Sequence, residues 1–378
     1  MTTKLILLAA ALAAAGTAAA QQVVKIGHVS PTSGPVAHLG KDMENAARLA
    51  IDDLNAKGLT LGGQKVTFQL VAEDDASDPK QGTAVAQKLV DAKVKGVVGH
   101  LNSGTSIPAS KIYNEAGIPQ ISPATTAPQY TRQRFPGTFR VVADDSKLGG
   151  TLARYAVDTL KAKNIAVIDD RTTYGQGVAT EFVKGAKGPG VKIVGKEFTS
   201  ATATDYTAIL TSIRAKKPDL VFFGGMDAVG GPMLKQMKNL GITARFMGGD
   251  GVCTDALGRL AGDAVGIEGK VICAEAGGVT GAEQEKTMAD FRARFRQKTG
   301  KDVQLYAPYV YDAVMVMASA MQKAGSAEPS KYLPELKKIA YRGVTGDIRF
   351  DAKGDIENGA LTLFTYKDGK KAKLDVIR

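Results

Sequence analysis

The chain has 378 residues, 44% of them hydrophobic and 23% charged, which is the composition of a globular protein with a buried core and excludes a disordered or collagen-like chain. Its formal charge is +11, yet Lys and Arg are scattered, no basic run of five to eight residues occurs, Trp is absent and aromatic residues make up only 6%. These features argue against a nucleic-acid partner. At roughly 100 to 200 residues per domain, the length predicts two domains.

Residues 1–20 stand apart. Lys4 supplies a small positive region, "LILLAAALAAAGTAAA" is apolar and small, and Ala18 and Ala20 form an A-x-A exit before Gln21. This predicts a secretory signal cleaved near Ala20 and an exported mature protein. The apolar stretch is too short for a lasting membrane span, no later run approaches the roughly 18 apolar residues that one needs, and no Cys near the exit offers a lipid attachment point. Export bears on Cys253 and Cys273, because an oxidising compartment lets the pair persist as a disulfide. Closing a loop of about 20 residues contributes about 3 kcal/mol. Two buried free thiols are the alternative.

In chain order, "VVKIGHVS" (Val23 to Ser30) predicts a strand. The next helix places Met43, Ala46, Ala47, Ala50, Ile51 and Leu54 on one face and ends at Gly58. "QKVTFQLVAEDD" predicts a strand, followed by a helix with Asp78 as N-cap, Pro79 at its first position and Gln81 at the capping-box position. A strand at "VKGVVG", a helix from about Thr105 and a strand at "IPQIS" complete the first series.

A second series starts near Ser146, with strands at "NIAVIDD", "VKIVGKEF", "DLVFFGG" and "RFMGGDG" separated by helices. Two long helices and closing strands at "GDIRFD" and "GALTLFTYKDG" follow. Short apolar strands alternating with helices are βαβ units, so both halves are predicted to hold parallel sheets in a two-domain, doubly wound α/β fold. Ligands in such sheets bind beyond the carboxyl ends of the strands.

Most chemistry is excluded there. Every Gly-Lys pair is followed by Asp, Glu, Val or Lys, so no phosphate loop exists, and "GQGVAT" and "GDGVCT" lack the third Gly of a dinucleotide fingerprint. A serine hydrolase needs a base, but the three histidines are His28, His38 and His100, and no G-x-S-x-G elbow occurs. His100 directly follows a strand end, where a packed or capping histidine is the simpler reading than a base for Ser103. Isolated histidines without Cys-His spacing predict no metal site.

What remains is a series of strand-end loops rich in hydroxyls and small residues: "HLNSGTS", "ISPATTAP", "DDRTTYGQG", "GGMDAVGG" and "MGGDGV". The first precedes a helix, whose positive end favours an anion such as a carboxylate, with Ser103 or Thr105 assisting. Thr125 and Thr126 are placed to donate to the same anion. Taken singly, each loop is better explained as a helix cap, and it is their series at strand ends that points to a ligand. Asp250, flanked by Gly, is either a partner for an ammonium group or a turn aspartate.

The stretches "SGPVAHLGKD", "LNAKG", "EDDASDPKQ", "GHLNSGTSIPAS", "SPATTAPQYT", "DRTTYGQG", "FFGG", "FMGGDGV" and "FDAKGD" follow one another along nearly the whole mature chain. In these the sequence resembles the periplasmic substrate-binding proteins of ABC importers for branched-chain amino acids, the leucine/isoleucine/valine-binding family. The resemblance implies two type I lobes, 23–143 plus 275–358 and 144–274 plus 359–378, joined by three hinge strands and closing on an amino acid. It implies that Ser103, Ala124, Thr125 and Thr126 hold the α-carboxylate, that Tyr174 reaches in from the second lobe, that Asp250 pairs with the α-ammonium, and that Tyr306 lies near the side-chain pocket.

The chain departs from the family at several positions. Ser77 and Asn102 stand where one member has a disulfide, so the Cys253 and Cys273 pair replaces that bridge in the other lobe, and Asn102 puts an amide at the pocket edge. Met226 and Asp227 occupy a loop that often carries tyrosine, Leu39 replaces an aromatic, and Asp250 is one methylene shorter than the glutamate of some relatives. The implied protein is a monomeric periplasmic receptor for leucine, isoleucine or valine. It works without a cofactor and delivers its ligand to an inner-membrane ABC permease. Another amino acid, an amide or urea, or an aromatic acid on the same scaffold is the alternative, and a secreted hydrolase using Ser103 a remote one.

Overall fold

A computed structural model describes residues 22–266, 269–279 and 281–377. The predicted signal segment lies outside the described residues. The first series runs β1 (Gln22–Ser30), α1 (Ala37–Lys57), β2 (Thr60–Leu61), β3 (Gln64–Asp74), α2 (Pro79–Asp91), β4 (Val97–Gly99), α3 (Ser103–Glu115), β5 (Gln120–Ser122), α4 (Gln129–Arg132) and β6 (Thr138–Arg140). Its strands form one sheet in the order β2-β3-β1-β4-β5-β6, parallel except for the β2–β3 hairpin.

The local signals act as the sequence predicts. Gly58 takes the left-handed conformation that ends α1 (φ 63°), and its N–H donates to the Asn55 carbonyl. The Asp78 carboxylate accepts the Gln81 N–H at 2.8 Å with Pro79 opening α2. The reciprocal half of the capping box does not form, because the Asp78 N–H already donates to the Asp75 carbonyl and the Gln81 amide reaches Asp74 instead. Helix α3 begins at Ser103, two residues earlier than expected, which draws Ser103 into the first turn.

The second series comprises α5 (Asp145–Arg154), β7 (Asn164–Asp169), α6 (Thr173–Gly185), β8 (Lys192–Phe198), α7 (Thr207–Ala215), β9 (Leu220–Gly224), α8 (Asp227–Asn239), β10 (Arg245–Gly248), α9 (Asp255–Ala261) and β11 (Val271–Glu275). After it come α10 (Ala282–Thr299), α11 (Ala307–Ala324), α12 (Pro329–Lys337), β12 (Tyr341–Arg342), β13 (Asp347–Ile348), β14 (Leu361–Lys367) and β15 (Lys370–Ile377). The second sheet has the order β15-β14-β11-β10-β9-β7-β8.

The parallel sheet predicted for this half forms and carries an antiparallel edge. β7 to β11 are parallel, but β14 and β15 run antiparallel on the β11 edge. The two residues Asp368 and Gly369, with φ of 50° and 73°, join β14 to β15 in a tight hairpin, a connection that only antiparallel strands allow.

The chain crosses between the lobes three times, after β6, after β11 and before β14. The crossings run side by side: the Ala143 N–H donates to the Ala276 carbonyl at 3.2 Å, and the Thr362 hydroxyl to the Gly277 carbonyl at 2.8 Å. After the second crossing α11, almost wholly buried, packs on α1 and so returns the chain to the first lobe.

Two devices set the loops that face the other lobe. Arg140, fully buried at the end of β6, donates to the carbonyls of Thr125 and Ala127 at 2.9 and 3.0 Å, to the Thr131 hydroxyl at 2.8 Å and to Asp355 at 2.6 Å. One planar guanidinium thus shapes the loop after β5 and ties it to the segment leading to the third crossing. In the second lobe a Cys253–Cys273 disulfide fastens the loop after β10 to β11.

Arg140→Met is predicted to lower stability by about 3 kcal/mol, because the buried Thr125 carbonyl loses its donor and the partly buried Asp355 loses its cation and keeps only the Thr131 hydroxyl. Arg140→Lys recovers only part of this, as one ammonium cannot meet all four acceptors. Urea denaturation checks both, and a midpoint unmoved by Arg140→Met would refute the assignment. Reducing the disulfide is predicted to cost about 3 kcal/mol through the loop that it closes. Denaturation with and without reductant measures this, and coincident curves would contradict it.

Candidate functional site

Eight residues from opposite lobes line a narrow cavity: Leu101, Asn102, Ser103, Ala124 and Tyr306 on one side, and Tyr174, Met226 and Asp250 on the other. All but Tyr306 lie at carboxyl ends of strands or in the turn of helix that follows. Tyr306 stands immediately before α11, at the N-cap position. Seven of the eight are residues that the sequence singled out. Leu101 was missed, although it is the apolar neighbour of Asn102 in the same loop.

Asp250 is the electrostatic centre. It is 1% exposed, its Oδ1 accepts the Tyr174 hydroxyl at 2.8 Å, and its Oδ2 accepts the Tyr306 hydroxyl at 3.0 Å from the opposite lobe. Burial pushes its pKa up to about 6, with the two tyrosine hydrogen bonds acting in the other direction. Burial, reinforced by the Asp250 charge, holds both tyrosines well above their ordinary range, so they remain donors. No cation pairs with Asp250 among the described residues. Glycine flanks it for a steric reason: a Cβ on Gly249 would come within 2.6 Å of the Tyr174 hydroxyl.

The facing wall is built from α3 and the loop after β5. The Ser103 hydroxyl oxygen accepts the Ala127 N–H at 3.3 Å, which joins the two loops and leaves the hydroxyl proton free to donate. The N-terminal end of the α3 dipole adds positive potential here. Thr125 and Thr126, adjacent in sequence, are in different surroundings. The Thr125 hydroxyl is engaged by Ser106 and by Ser122, the latter at 2.7 Å, behind the wall. The Thr126 hydroxyl is buried with no hydrogen-bond partner.

Beside Thr126 lies a group that sequence reasoning did not name. Asp145, at the start of α5, is fully buried, and neither carboxylate oxygen has a hydrogen-bond partner. Its own N–H donates to the Thr126 carbonyl at 2.8 Å. Burial pushes its pKa well above the carboxylate range, and the charge of Asp250 adds to the rise. The signal was the Asp144-Asp145 doublet before a helix: Asp144 caps α5 by accepting the Lys147 N–H at 3.0 Å, which leaves Asp145 to turn inward.

Leu39 is fully buried and does not line the cavity. Its neighbour His38 is the side chain that reaches across: its Nε2 meets Asp227 Oδ2 at 2.8 Å, and the same oxygen accepts the Thr254 hydroxyl at 2.6 Å. This second bond between lobes joins residues 189 apart in sequence, a separation that no local pattern reveals. His100 is committed elsewhere, with Nδ1 donating to Asp75 at 2.8 Å and Nε2 accepting the Tyr113 hydroxyl at 3.1 Å.

Among the described residues no group of three or more metal-ligating side chains occurs, and no helix is long and apolar enough to cross a membrane.

A profile of periplasmic binding proteins matches residues 23–371. The "Leu/Ile/Val-binding protein homolog 1" of Brucella abortus is 36% identical over 372 residues, covering 98% of this chain and 97% of the relative. The "Leucine-, isoleucine-, valine-, threonine-, and alanine-binding protein" of Pseudomonas aeruginosa is 34% identical over 377 residues, covering 99% of both. Among solved structures, the branched-chain amino acid transporter substrate-binding protein LivJ of Streptococcus pneumoniae, in complex with isoleucine, superposes with a TM-score of 0.84 at 27% identity. It covers 94% of this chain and 99% of its own. With two α/β lobes, three crossings and a buried cavity between them, the chain belongs to the periplasmic binding protein family.

Proposed function

We propose that the protein is an extracytoplasmic receptor that captures an aliphatic L-amino acid, leucine, isoleucine or valine first, and delivers it to an ABC permease in the inner membrane. The observation that carries this is Asp250, a buried carboxylate with no cation of its own, facing a wall that offers hydroxyls and a helix N-terminus. A zwitterion satisfies both sides: its ammonium meets Asp250, and its carboxylate meets Ser103, Thr126 and the backbone at Ala124. Tyr174 orients Asp250 from the second lobe, while Leu101 and Met226 supply apolar surface for the side chain.

In this reading residues 1–20 direct export and are removed, and the lobes are 23–143 plus 275–358 and 144–274 plus 359–378. Closure brings Tyr306 to Asp250 and His38 to Asp227, so the closed form presents a distinct surface to the permease. The protein acts as a monomeric receptor and not as an enzyme, since His100 is occupied by Asp75 and Tyr113 and supplies no base to Ser103. A plain carboxylic acid as ligand is disfavoured, because it would leave Asp250 without a counter-charge.

Asp250→Ala is predicted to weaken amino-acid binding by about 2 to 5 kcal/mol, the cost of leaving a buried ammonium unpaired. Calorimetry with leucine, isoleucine and valine measures this, and unchanged affinity would remove Asp250 from the site. Affinity also depends on pH with a defined sign. Only the ionised carboxylate attracts the ammonium, so binding is steady above about pH 7 and weakens by up to about tenfold per unit as pH falls below the Asp250 value of about 6. An affinity that stays flat through this range would contradict the assignment.

A further inference from the structure

A second concave site lies in the first lobe, at the amino end of β6. A cavity of about 610 Å³ is lined there by residues of 131–139, which link α4 to β6, by Lys337 at the end of α12, and by 350–354, on the way to the third crossing. None of these residues belongs to the cavity between the lobes. Its size falls within the range of roughly 300 to 1,000 Å³ that small-molecule sites occupy.

Two kinds of group line it. Phe135, Pro136, Phe139 and Phe350 supply the apolar part, with Phe139 and Phe350 buried and their rings 4.8 Å apart at 45°. Arg132, Arg134, Lys337 and Lys353, all exposed, supply the rim. Asp144 neutralises Arg132 at 3.1 Å, but among the described residues Arg134, Lys337 and Lys353 form no salt bridge. Asp351 is the one carboxylate in the lining, and its Oδ1 is turned onto the N–H groups of Lys353 and Asp355, at 2.8 and 3.0 Å. The lining therefore carries an excess of two positive charges.

The walls are held by the protein itself. Gly354, with φ 93°, lets the turn that carries Lys353 press on β6, where a Cβ would come within 2.1 Å of the Thr138 carbonyl oxygen. The Gly354 carbonyl accepts the Arg140 N–H at 2.9 Å, and the Thr131 hydroxyl donates to Asp355 at 2.8 Å, so opposite sides of the pocket are tied together. Solvated surface lysines alone would give neither the concavity nor the aromatic floor.

We propose that this pocket binds a small phosphate monoester with a flat aromatic body. Such an ester carries close to two negative charges at neutral pH, which matches the excess. Arg134 meets its oxygens with paired N–H donors, and the two lysines act as point charges. The aryl group packs against the phenylalanine rings. An inorganic anion leaves the rings unused and an uncharged aromatic leaves the cations unused, so the two parts together define the class. The site is separate from the amino-acid cleft and does not depend on its ligand.

Calorimetry of the purified protein with 1-naphthyl phosphate, inorganic phosphate and 1-naphthol tests this. The ester is expected to bind at least about tenfold more tightly than either part, since it alone uses both halves of the pocket. Arg134→Gln and Lys337→Gln are each expected to weaken it about fivefold or more. Lys331→Gln, which removes an exposed cation of α12 outside the pocket, leaves it unchanged. All three positions are exposed, so the variants keep the fold. Ester affinity no better than that of phosphate or naphthol would overturn the proposal, as would equal loss in all three variants, which net charge alone explains. Displacement of the ester by leucine would put it in the cleft and overturn the separate site. Vesicles containing phosphatidic acid present the same headgroup chemistry on a membrane, and retention on them without binding of the soluble ester would make this face a lipid contact and overturn the pocket.

Discussion

The closed arrangement of this protein turns on one buried carboxylate. Asp250 is shielded from water, each of its oxygens accepts a hydrogen bond from a tyrosine, and the two tyrosines belong to opposite lobes. Those hydrogen bonds keep the group compatible with ionisation, while burial raises its pKa to about 6 and makes the charge expensive without a counter-ion. In the proposed function a ligand ammonium would remove that cost where Tyr306 and Tyr174 meet, so that binding and closure would be favoured by the same contact.

The remaining structure serves to hold the two halves of this contact in place. In the second lobe, the Cys253–Cys273 disulfide pins the loop that carries Asp250 to its neighbouring strand, and the glycines around Asp250 give Tyr174 room to approach. In the first lobe, Arg140 fixes the carbonyls of the loop after β5, and Ser103 links that loop to the start of α3. The His38–Asp227 bond adds a second tie across the cleft, at the edge of the cavity. Arg140 also reaches Asp355, so the loop after β5 is connected to the segment that leads to the third crossing.

The fold was legible because its signals are local. Apolar strands alternating with helices, Gly58 closing α1 and Asp78 with Pro79 opening α2 are each settled by residues a few positions apart. The antiparallel end of the second sheet was missed because "YKDGK" looked like the close of a strand, although an Asp-Gly pair flanked by strand residues is a hairpin signal. The cavity was legible loop by loop, yet its finer division was not. Thr125 and Thr126 differ by one position, and whether a side chain faces the cavity or the loop behind it depends on contacts with Ser106 and Ser122 that no sequence pattern specifies. Leu39 and His38 show the same exchange between neighbours, and Asp145 becomes apparent only once Asp144 is seen to have taken the capping role.

The claim that Asp250 exists to meet an ammonium group is tested most directly by removing that group from the ligand. Calorimetry of the protein with leucine and with 4-methylpentanoate, the same molecule without its amine, isolates the interaction. The account predicts that leucine binds and that the deaminated acid binds at least about 100-fold more weakly, since its carboxylate and side chain are served while Asp250 stays unpaired. Equal affinity for the two would contradict it and would make Asp250 a structural group of the loop after β10, not the receptor for a cation.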